Sequence, residues 1–235
     1  MHNSEIPAAV LERVAAYRGE DQQILVDPAR TAHLVVDLQI GFLAEGAIAE
    51  VPVARQIVPR VNRLCAAVRE AGARNVFIRF LVDLDEPRYW GSMYDRMTSA
   101  QRDAFVDAFA RGADQFALWP ELDVRPEDWI ADKTRFSAFI PGTCDLHERL
   151  QAAGVDTLIV TGTLSNCCCE STVRDAMQLG YKVLFVEDAN ATLDDEQHNA
   201  TLANMAGLFF ADVCTSDTAI SRLGAGRAAV SGAAA

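Results

Sequence analysis

Short apolar runs, rich in β-branched and aromatic residues, alternate along this chain with segments whose apolar residues recur at helical spacing. The clearest runs cover residues 33–37, 75–80, 157–160 and 182–186. Runs that are apolar throughout are typical of strands buried on both faces, as in a parallel sheet. Repeated strand–helix units place helices on both faces of such a sheet. The sequence therefore predicts an α/β fold with a three-layer, doubly wound, mainly parallel β-sheet.

Helical segments lie between these runs, and several of them end at a glycine. Residues 53–71 place Ile57, Val61 and Leu64 on one face, and Gly72 follows as a C-cap. The same patterns predict helices over 145–153, 167–179, 195–207 and 216–223, and short strands over 129–131 and 211–214. The alternation thus continues almost to the end of the chain.

The pattern indicates one domain with an extension at each end. Residues 1–30 are predicted as an N-terminal arm, residues 31–223 as the α/β domain, and the glycine- and alanine-rich residues 224–235 as a flexible tail. Residues 81–127 interrupt the alternation with a cluster of aromatic residues. We interpret this segment as an inserted lid or interface element, which can cap its own or a neighbouring active site.

Composition narrows the classes of function. The formal net charge is −12, which disfavours nucleic acid and anionic membrane surfaces as partners. The longest apolar runs are far below the roughly 18 residues of a membrane span. No secretory pattern opens the chain, and the six cysteines show neither paired zinc-site spacing nor a disulfide framework. We therefore expect a cytoplasmic protein.

Residues that follow the strands are the candidates for chemistry, because ligands bind at the carboxyl ends of strands in such a sheet. Asp37 ends the first run, Lys133 follows the strand near residue 130, and the cysteines at 167–169 open the helix after the Val160 run. A helix N-terminus lowers the pKa of a thiol and can hold an oxyanion. Lys133 is one of only two lysines among 21 basic residues, which fits a requirement for an ammonium.

Helical register favours one of the three cysteines only modestly. Cys169 lies on the stripe that would pack on the sheet, Cys168 shares another face with Ser171 and Asp175, and Cys167 fits either role. Each signal is weak alone, since free cysteines are commonly buried packing residues. An aspartate can merely cap a turn, and a lysine can be a solvated surface charge.

Three stretches occur in a fixed order and spacing. They are Val36-Asp37-Leu38-Gln39 with Phe42, residues 132–139, and residues 161–176, which contain Asn166-Cys167-Cys168-Cys169-Glu170-Ser171-Thr172. With these stretches the chain resembles the isochorismatase-like cysteine hydrolase family over residues of about 30 to 223. It is most similar to members acting on N-carbamoyl or ureido compounds, such as N-carbamoylsarcosine amidase and ureidoacrylate amidohydrolase.

The resemblance implies specific roles. It makes Cys168 the nucleophile, with Asp37 and Lys133 completing a catalytic triad, and it makes the two flanking cysteines packing residues. It also implies a non-proline cis peptide at Thr163–Leu164. In the resulting hypothesis Asp37 takes the thiol proton, and the backbone N–H groups of Leu164 and Cys168 hold the oxyanion.

The resemblance also implies a substrate class. We expect a small-molecule ureido compound or primary amide, a covalent thioester-type intermediate and release of ammonia, without a cofactor. Gln39 stands where metal-dependent members of the family carry a histidine, and Asp83, Asp85 and His198 do not form a convincing ligand set, so no metal is expected. Candidate substrate-binding residues are Gln39, Phe42, Trp90, Tyr94, Phe136 and Phe139.

Two other functions stay open at this stage. The same triad can open a lactam or another cyclic amide, and a protein of this fold can bind a ligand without turnover. The aromatic insertion at 81–127 and the resemblance favour a homo-oligomer, either a dimer or a tetramer.

Overall fold

The computed structural model describes residues 1–18, 23–84 and 89–233, with the backbone alone for 227–233. Within these residues, six parallel strands form one sheet in the order β3-β2-β1-β4-β5-β6. They are β1 (Thr31–Val36), β2 (Arg74–Phe80), β3 (Trp129–Lys133), β4 (Thr157–Thr163), β5 (Lys182–Ala191) and β6 (Asp212–Cys214). The predicted doubly wound parallel sheet is confirmed.

The strand order creates a crevice between β1 and β4. The chain builds outward from β1 to β3 on one side, and then from β4 to β6 on the other. Because the winding reverses between β1 and β4, the connections after these two strands diverge, and ligand sites of such folds lie at this point. The segments that follow β1 and β4 are therefore the ones that this fold brings together.

Helices cover both faces of the sheet. They are α1 (Ala8–Arg18), α2 (Ile40–Leu43), α3 (Ala54–Ala71), α4 (Gly91–Tyr94), α5 (Ser99–Phe109), α6 (Leu146–Ala152), α7 (Glu170–Gln178), α8 (Asp195–Gly207) and α9 (Ser216–Ala233). The apolar side chains of α3 and α9 pack on one face, in a core that includes Val35. Those of α6, α7 and α8 pack on the other, in a core that includes Leu34 and Val36. Successive residues of β1 thus serve opposite cores, as the pleat of a strand requires.

Several boundaries differ from the sequence predictions. Strand β3 extends to Lys133 and β4 to Thr163, so the functional candidates lie at or directly after strand ends rather than in longer loops. The helix α9 continues to Ala233, where a flexible tail was predicted. The many alanines of this segment favour helix, and they outweigh its glycines.

The segment predicted as an insertion folds back onto the end of β1. Its described part contains α4, α5 and a short 3₁₀ turn at Asp114–Phe116. Phe109 of α5 packs against Phe42 and Phe80, with ring centroids 4.9 and 5.7 Å apart. The N–H of Trp119 donates to the carbonyl of Leu38 at 2.9 Å. The insertion is therefore anchored beside the end of β1, and its role as a lid stays a prediction.

Among the helices in the described part of the chain, none is long and apolar enough to cross a membrane.

Candidate active site

Asp37 is held in an unusual backbone conformation at the end of β1. Its φ is +53°, and its N–H donates to the carbonyl of Ile78 on β2 at 2.9 Å. Residues other than glycine seldom adopt a positive φ, and such residues cluster at functional sites. On the β4 side, a Cβ at Gly162 would lie 2.1 Å from the carbonyl oxygen of Val36. Only glycine therefore lets β4 approach β1 this closely, immediately before Asp37.

Lys133 completes a buried ion pair with Asp37. Its Nζ donates to Oδ2 of Asp37 at 2.7 Å and to the carbonyl of Arg135 at 3.2 Å, and it lies 5.0 Å from the centre of the Phe80 ring. Both charged side chains have an exposed fraction of 0%. Charges this deeply buried persist only when they are paired and hydrogen-bonded. The pair is consequently a strong candidate for a functional group.

Cys168 lies in a single π-turn, Ser165–Cys169, that connects β4 to α7. The sequence prediction of an α-helix from residue 167 was wrong here, because the wider turn comes first. The Thr163–Leu164 peptide is cis, as the resemblance implied. The N–H groups of Cys167 and Cys169 both donate to the carbonyl of Leu164 at 3.1 Å. Among the described residues, the N–H of Leu164 itself has no backbone acceptor.

The three cysteines have different surroundings. Cys169 is fully buried in the core beneath α7, as its place on the packing stripe predicted. Cys168 is buried, and its thiol lies close enough to Asp37 and Lys133 to influence the pKa values of both. Cys167 is partly exposed, and its thiol hydrogen-bonds to that of Cys168. Cys168 is thus the cysteine that the fold associates with the ion pair.

Electrostatics favour a neutral Cys168 thiol in the resting site. Burial raises the pKa of Asp37, although the charge of Lys133 and a hydrogen bond from Cys168 oppose that shift. Burial would lower the pKa of Lys133, but the charge of Asp37 and the hydrogen bond to it oppose this effect, and the pKa rises. The hydrogen bond with Cys167, burial and the charge of Asp37 raise the pKa of Cys168 well above its ordinary value. At neutral pH, Cys168 therefore carries its proton.

One carboxylate oxygen of Asp37 receives no hydrogen bond in the described part of the chain. Oδ2 of Asp37 accepts from Lys133, whereas Oδ1 is buried and receives no N–H or O–H donor within the described part of the chain. A buried carboxylate oxygen without a donor is rare and calls for an explanation. Oδ1 of Asp37 is therefore the candidate acceptor for a proton in this site.

Gln39 has a structural role that differs from the predicted substrate contact. Its Nε2 donates to the carbonyls of Phe80 and Phe116 at 3.0 and 2.9 Å, and its Oε1 accepts from the N–H of Phe80 at 2.6 Å. The side chain is fully buried. Because both amide hydrogens are used by backbone carbonyls, Gln39 ties the insertion to β2 instead of facing a substrate.

The predicted aromatic wall residues separate into two groups. Phe42, Tyr94 and Phe139 are nearly fully buried within the two cores, which corrects their predicted role in lining a pocket. Trp90 and Phe136 are partly exposed and pack edge to face, with centroids 4.8 Å apart. Only this second pair is placed to meet a ligand.

Trp90 and Phe136 line a pocket of about 400 Å³. The other lining residues are Arg135, Ser137, Ile140, Ser171, Arg174 and Asp175. Phe136 also packs against the core that contains Cys168. Because the carbonyl of Arg135 accepts from Lys133, the pocket borders the ion pair as well.

Sequence reasoning missed several of these lining residues. Ser171 and Asp175 had a usable signal, since they share a helical face with Cys168. The signal for Arg135 was weaker, because it consisted only of its position two residues after Lys133. Its guanidinium carbon lies 5.1 Å from the centre of the Trp90 ring, a contact between distant segments that no local pattern reveals.

The candidate metal ligands do not form a cluster. His198 is buried, and its Nδ1 lies 2.9 Å from Oγ of Ser165. Asp85 lies outside the described residues. In the part of the chain that the structure describes, no group of three or more histidine, cysteine or acidic side chains is arranged to hold a metal ion.

The fold and the site together define a cysteine hydrolase built on a doubly wound parallel sheet. Residues 31–218 match the model of the isochorismatase domain, and the chain belongs to this family. It is a hydrolase of the isochorismatase family.

Individual relatives cover most of the chain. An uncharacterized isochorismatase family protein of Bacillus subtilis is 33% identical over 181 residues, covering 75% of this chain and 86% of that protein. A ureidoacrylate amidohydrolase of Methylobacterium radiotolerans is 30% identical over 215 residues, covering 85% and 83% respectively. The crystal structure of a cysteine hydrolase from Pseudomonas syringae pv. phaseolicola superimposes with a TM-score of 0.74 at 29% identity, covering 88% of this chain and 100% of that one.

Proposed function

We propose that this protein is a cysteine-dependent amidohydrolase that cleaves a C–N bond of a small ureido compound or primary amide and releases ammonia. The observation that carries the proposal is the burial of Cys168 beside the Asp37–Lys133 ion pair at the end of the sheet. A thiol with an adjacent base and a cationic neighbour is the arrangement of an activated nucleophile.

The first half-reaction forms a covalent intermediate. Asp37 takes the proton of Cys168 through Oδ1, and the sulfur attacks the substrate carbonyl carbon. The backbone N–H groups of Leu164 and Cys168 stabilise the oxyanion. Protonated Asp37 then gives its proton to the leaving nitrogen, the C–N bond breaks, and ammonia departs from a thioester-type intermediate. Lys133 keeps its charge throughout and balances first the carboxylate and then the thiolate.

The second half-reaction returns the enzyme to its starting state. Asp37, ionised again, removes a proton from water, and the resulting hydroxide attacks the intermediate at the same carbonyl carbon. The same N–H groups hold the second oxyanion. When the C–S bond breaks, the proton on Asp37 returns to the sulfur. A primary amide yields a carboxylic acid, and a ureido compound yields a carbamate that loses carbon dioxide.

The comparisons support an amide or ureido substrate. The relative from Methylobacterium is named a ureidoacrylate amidohydrolase, and its match covers most of both chains. The solved relative from Pseudomonas is named a cysteine hydrolase. A nucleophilic cysteine performs acyl transfer, so both names agree with the chemistry that Cys168 and Asp37 support.

The pocket favours a small substrate with a carboxylate. Its volume of about 400 Å³ lies near the lower end of ligand sites. Trp90 and Phe136 offer flat apolar surfaces, and Arg135 places a guanidinium over the Trp90 ring. Arginine binds carboxylates with two parallel hydrogen bonds. We propose a ureido acid whose carbonyl reaches Cys168 while its carboxylate contacts Arg135.

The proposal also covers the oligomeric state and the location of the protein. A homo-oligomer in the cytoplasm, with the insertion at 81–127 as lid or interface, fits the aromatic character of that segment. Light scattering on the purified protein measures the assembly, and a monomer would contradict that part of the proposal.

A substrate panel tests the central proposal. Ammonia release is measured with ureido acids, primary amides and lactams, and the intact mass of the protein is recorded during turnover. We expect release from ureido acids or amides, an adduct on Cys168, and loss of both in Cys168→Ser. Ring opening of lactams without ammonia release would indicate the cyclic-amide function. The absence of any adduct or product across the panel would indicate a binding protein.

A further inference from the structure

A buried histidine that takes no part in the proposed chemistry contacts the turn that carries the nucleophile. His198, in the first part of α8, has an exposed fraction of 0%, and its Nδ1 lies 2.9 Å from Oγ of Ser165. Ser165 is also fully buried and directly follows Leu164, whose N–H is the proposed oxyanion donor. A shift of Ser165 therefore moves Leu164 and the start of the π-turn.

The next residue of the turn is held from the same side. Asn166 accepts a hydrogen bond from Oγ1 of Thr192 at 2.7 Å and donates to Oε1 of Gln197 at 2.7 Å. Thr192 immediately follows β5, and Gln197 lies in the first turn of α8. The residues after β5 thus fix both Ser165 and Asn166, which lie between the two proposed oxyanion donors in sequence.

The first residues of the chain pack against His198 and the residues after β5. The rings of His2 and His198 stack with centroids 4.4 Å apart and an angle of 15°. Nε2 of His2 accepts from the N–H of Thr192 at 3.0 Å, so the ring proton is on Nδ1, which lies 2.7 Å from Oδ1 of Asp195. Oγ of Ser4 lies 3.4 Å from Nε2 of His198. His198 is therefore enclosed between the N-terminal residues and the π-turn.

We infer that His198, held by His2, is a positioning residue that fixes the oxyanion donors of the π-turn through Ser165. The inference rests on the proposed function, because the oxyanion arises in that reaction. Burial lowers the pKa of His198 to about 4, although the Glu187 carbonyl and Asp195 oppose the shift. His198 is consequently neutral throughout the neutral pH range, so its contact with Ser165 does not change there.

Two reactions of Cys168 distinguish a His198 that positions the oxyanion donors from a His198 that only packs in the core. Alkylation by iodoacetamide is a displacement at a saturated carbon and develops no oxyanion. Addition of the thiol to a small aldehyde forms a thiohemiacetal, whose oxygen occupies the oxyanion position. A loss of oxyanion donors weakens the aldehyde adduct and leaves the alkylation rate unchanged, whereas general loosening of the site changes both.

The experiment compares His2→Ala and His198→Asn with the wild-type protein. His147→Ala is the control, because His147 is a partly buried histidine of α6 whose Nδ1 lies 3.0 Å from the hydroxyl of Tyr181 and not near Ser165 in any hydrogen bond of the described residues. Circular dichroism and thermal unfolding of each variant report whether it is folded. The measured quantities are kcat and KM for the best substrate of the panel, the dissociation constant for propionaldehyde, and the rate of alkylation of Cys168.

We expect kcat to fall about 10-fold in His2→Ala and about 100-fold in His198→Asn, with KM changed less than about 3-fold. The propionaldehyde adduct should weaken by similar factors, while the alkylation rate stays within about 2-fold of wild type. His147→Ala should match wild type in every measurement. Equal losses in adduct stability and alkylation, or no loss in either variant, would overturn the inference. If the wild-type protein hydrolyses no panel substrate while the aldehyde and iodoacetamide results still diverge, the proposed function fails and the positioning role stands.

Discussion

The Nζ atom of Lys133 lies 2.7 Å from Oδ2 of Asp37, and neither side chain is exposed to solvent. The two residues are 96 positions apart in sequence, and they meet because β3 and β1 end on the same edge of the sheet. Moving either charge out of water is costly, and each compensates for the burial of the other. This interdependence makes the pair sensitive to changes in one partner alone.

Removal of the lysine charge should destabilise the fold. In Lys133→Met the buried carboxylate of Asp37 loses its partner, and we expect the free energy of unfolding to fall by about 3–5 kcal/mol. Activity should be lost as well. Urea unfolding at neutral pH measures the change. The double variant Asp37→Asn/Lys133→Met should recover part of the lost stability, and a double variant less stable than Lys133→Met would contradict this account.

The pH dependence of kcat/KM should show an acid limb above the range of an ordinary carboxyl. Asp37 must be ionised to act as a base, and burial raises its pKa, so the active form is lost as the pH falls through that raised value. A free aspartate would lose its charge only near about pH 4. The raised pKa values of Lys133 and Cys168 predict no basic limb close to neutrality. A profile that stays flat down to about pH 4 would exclude Asp37 as the base.

Much of the sheet could be predicted, because its strands are apolar throughout and stand between helical segments. The positions of Asp37 and Lys133 follow from that pattern, since a parallel sheet brings strand ends to one edge. The residues at which the strands end were harder to predict. β4 continues through Thr161, Gly162 and Thr163, small polar residues typical of a turn. Gly162 adopts a φ of +126°, which glycine tolerates, and so stays paired with Val36 of β1 and Asn190 of β5.

Roles that depend on contacts between distant segments were not predictable. Gln39 follows a strand as a catalytic residue would, and only the folded insertion reveals that Phe80 and Phe116 use its amide. An aromatic residue also looks the same in sequence whether it lies in the core, as Phe139 does, or lines a pocket, as Phe136 does. The choice of Cys168 among three adjacent cysteines rested on the family resemblance, because the π-turn changes the helical register.

The hydrogen bonds that Gln39 makes to the backbone should contribute to stability and not to substrate affinity. Gln39→Met keeps a similar volume but removes three hydrogen bonds to the backbone. With about 1 kcal/mol for each bond, we expect a loss of about 3 kcal/mol in the free energy of unfolding. KM should change less than 3-fold if the fold is retained. Gln178→Met on the surface of α7 is the control, and a large rise in KM for Gln39→Met alone would restore the substrate role.

Cys168 and Cys167 should respond differently to substitution. Cys168→Ser removes the nucleophile and should lower kcat by at least about 10⁴-fold, since a neutral hydroxyl is a far weaker nucleophile than a thiolate. Cys167→Ser is the matched control and should retain activity within about 10-fold, because a hydroxyl can replace the hydrogen bond to Cys168. Mass spectrometry after brief iodoacetamide treatment should locate the label on Cys168. Labelling of Cys167 with loss of activity in its serine variant would reverse the assignment.

Arg135 should discriminate between substrates with and without a carboxylate. Arg135→Gln removes the guanidinium that lines the pocket, and we expect kcat/KM for a ureido acid to fall about 100-fold, the scale of a lost charged hydrogen-bonding pair. For an alkyl urea of the same length the change should stay below about 3-fold. The measurement is ammonia release with each substrate.

Arg174→Gln is the matched control for that comparison. Arg174 lines the same pocket, and its Nε and Nη2 donate to Oε1 of Glu170, one turn earlier on α7, at 2.9 and 2.6 Å. We expect this variant to affect the acid and the alkyl urea equally. If Arg135→Gln also affects both substrates equally, the carboxylate is bound elsewhere, because removing a positive charge that contacts it must weaken the acid selectively.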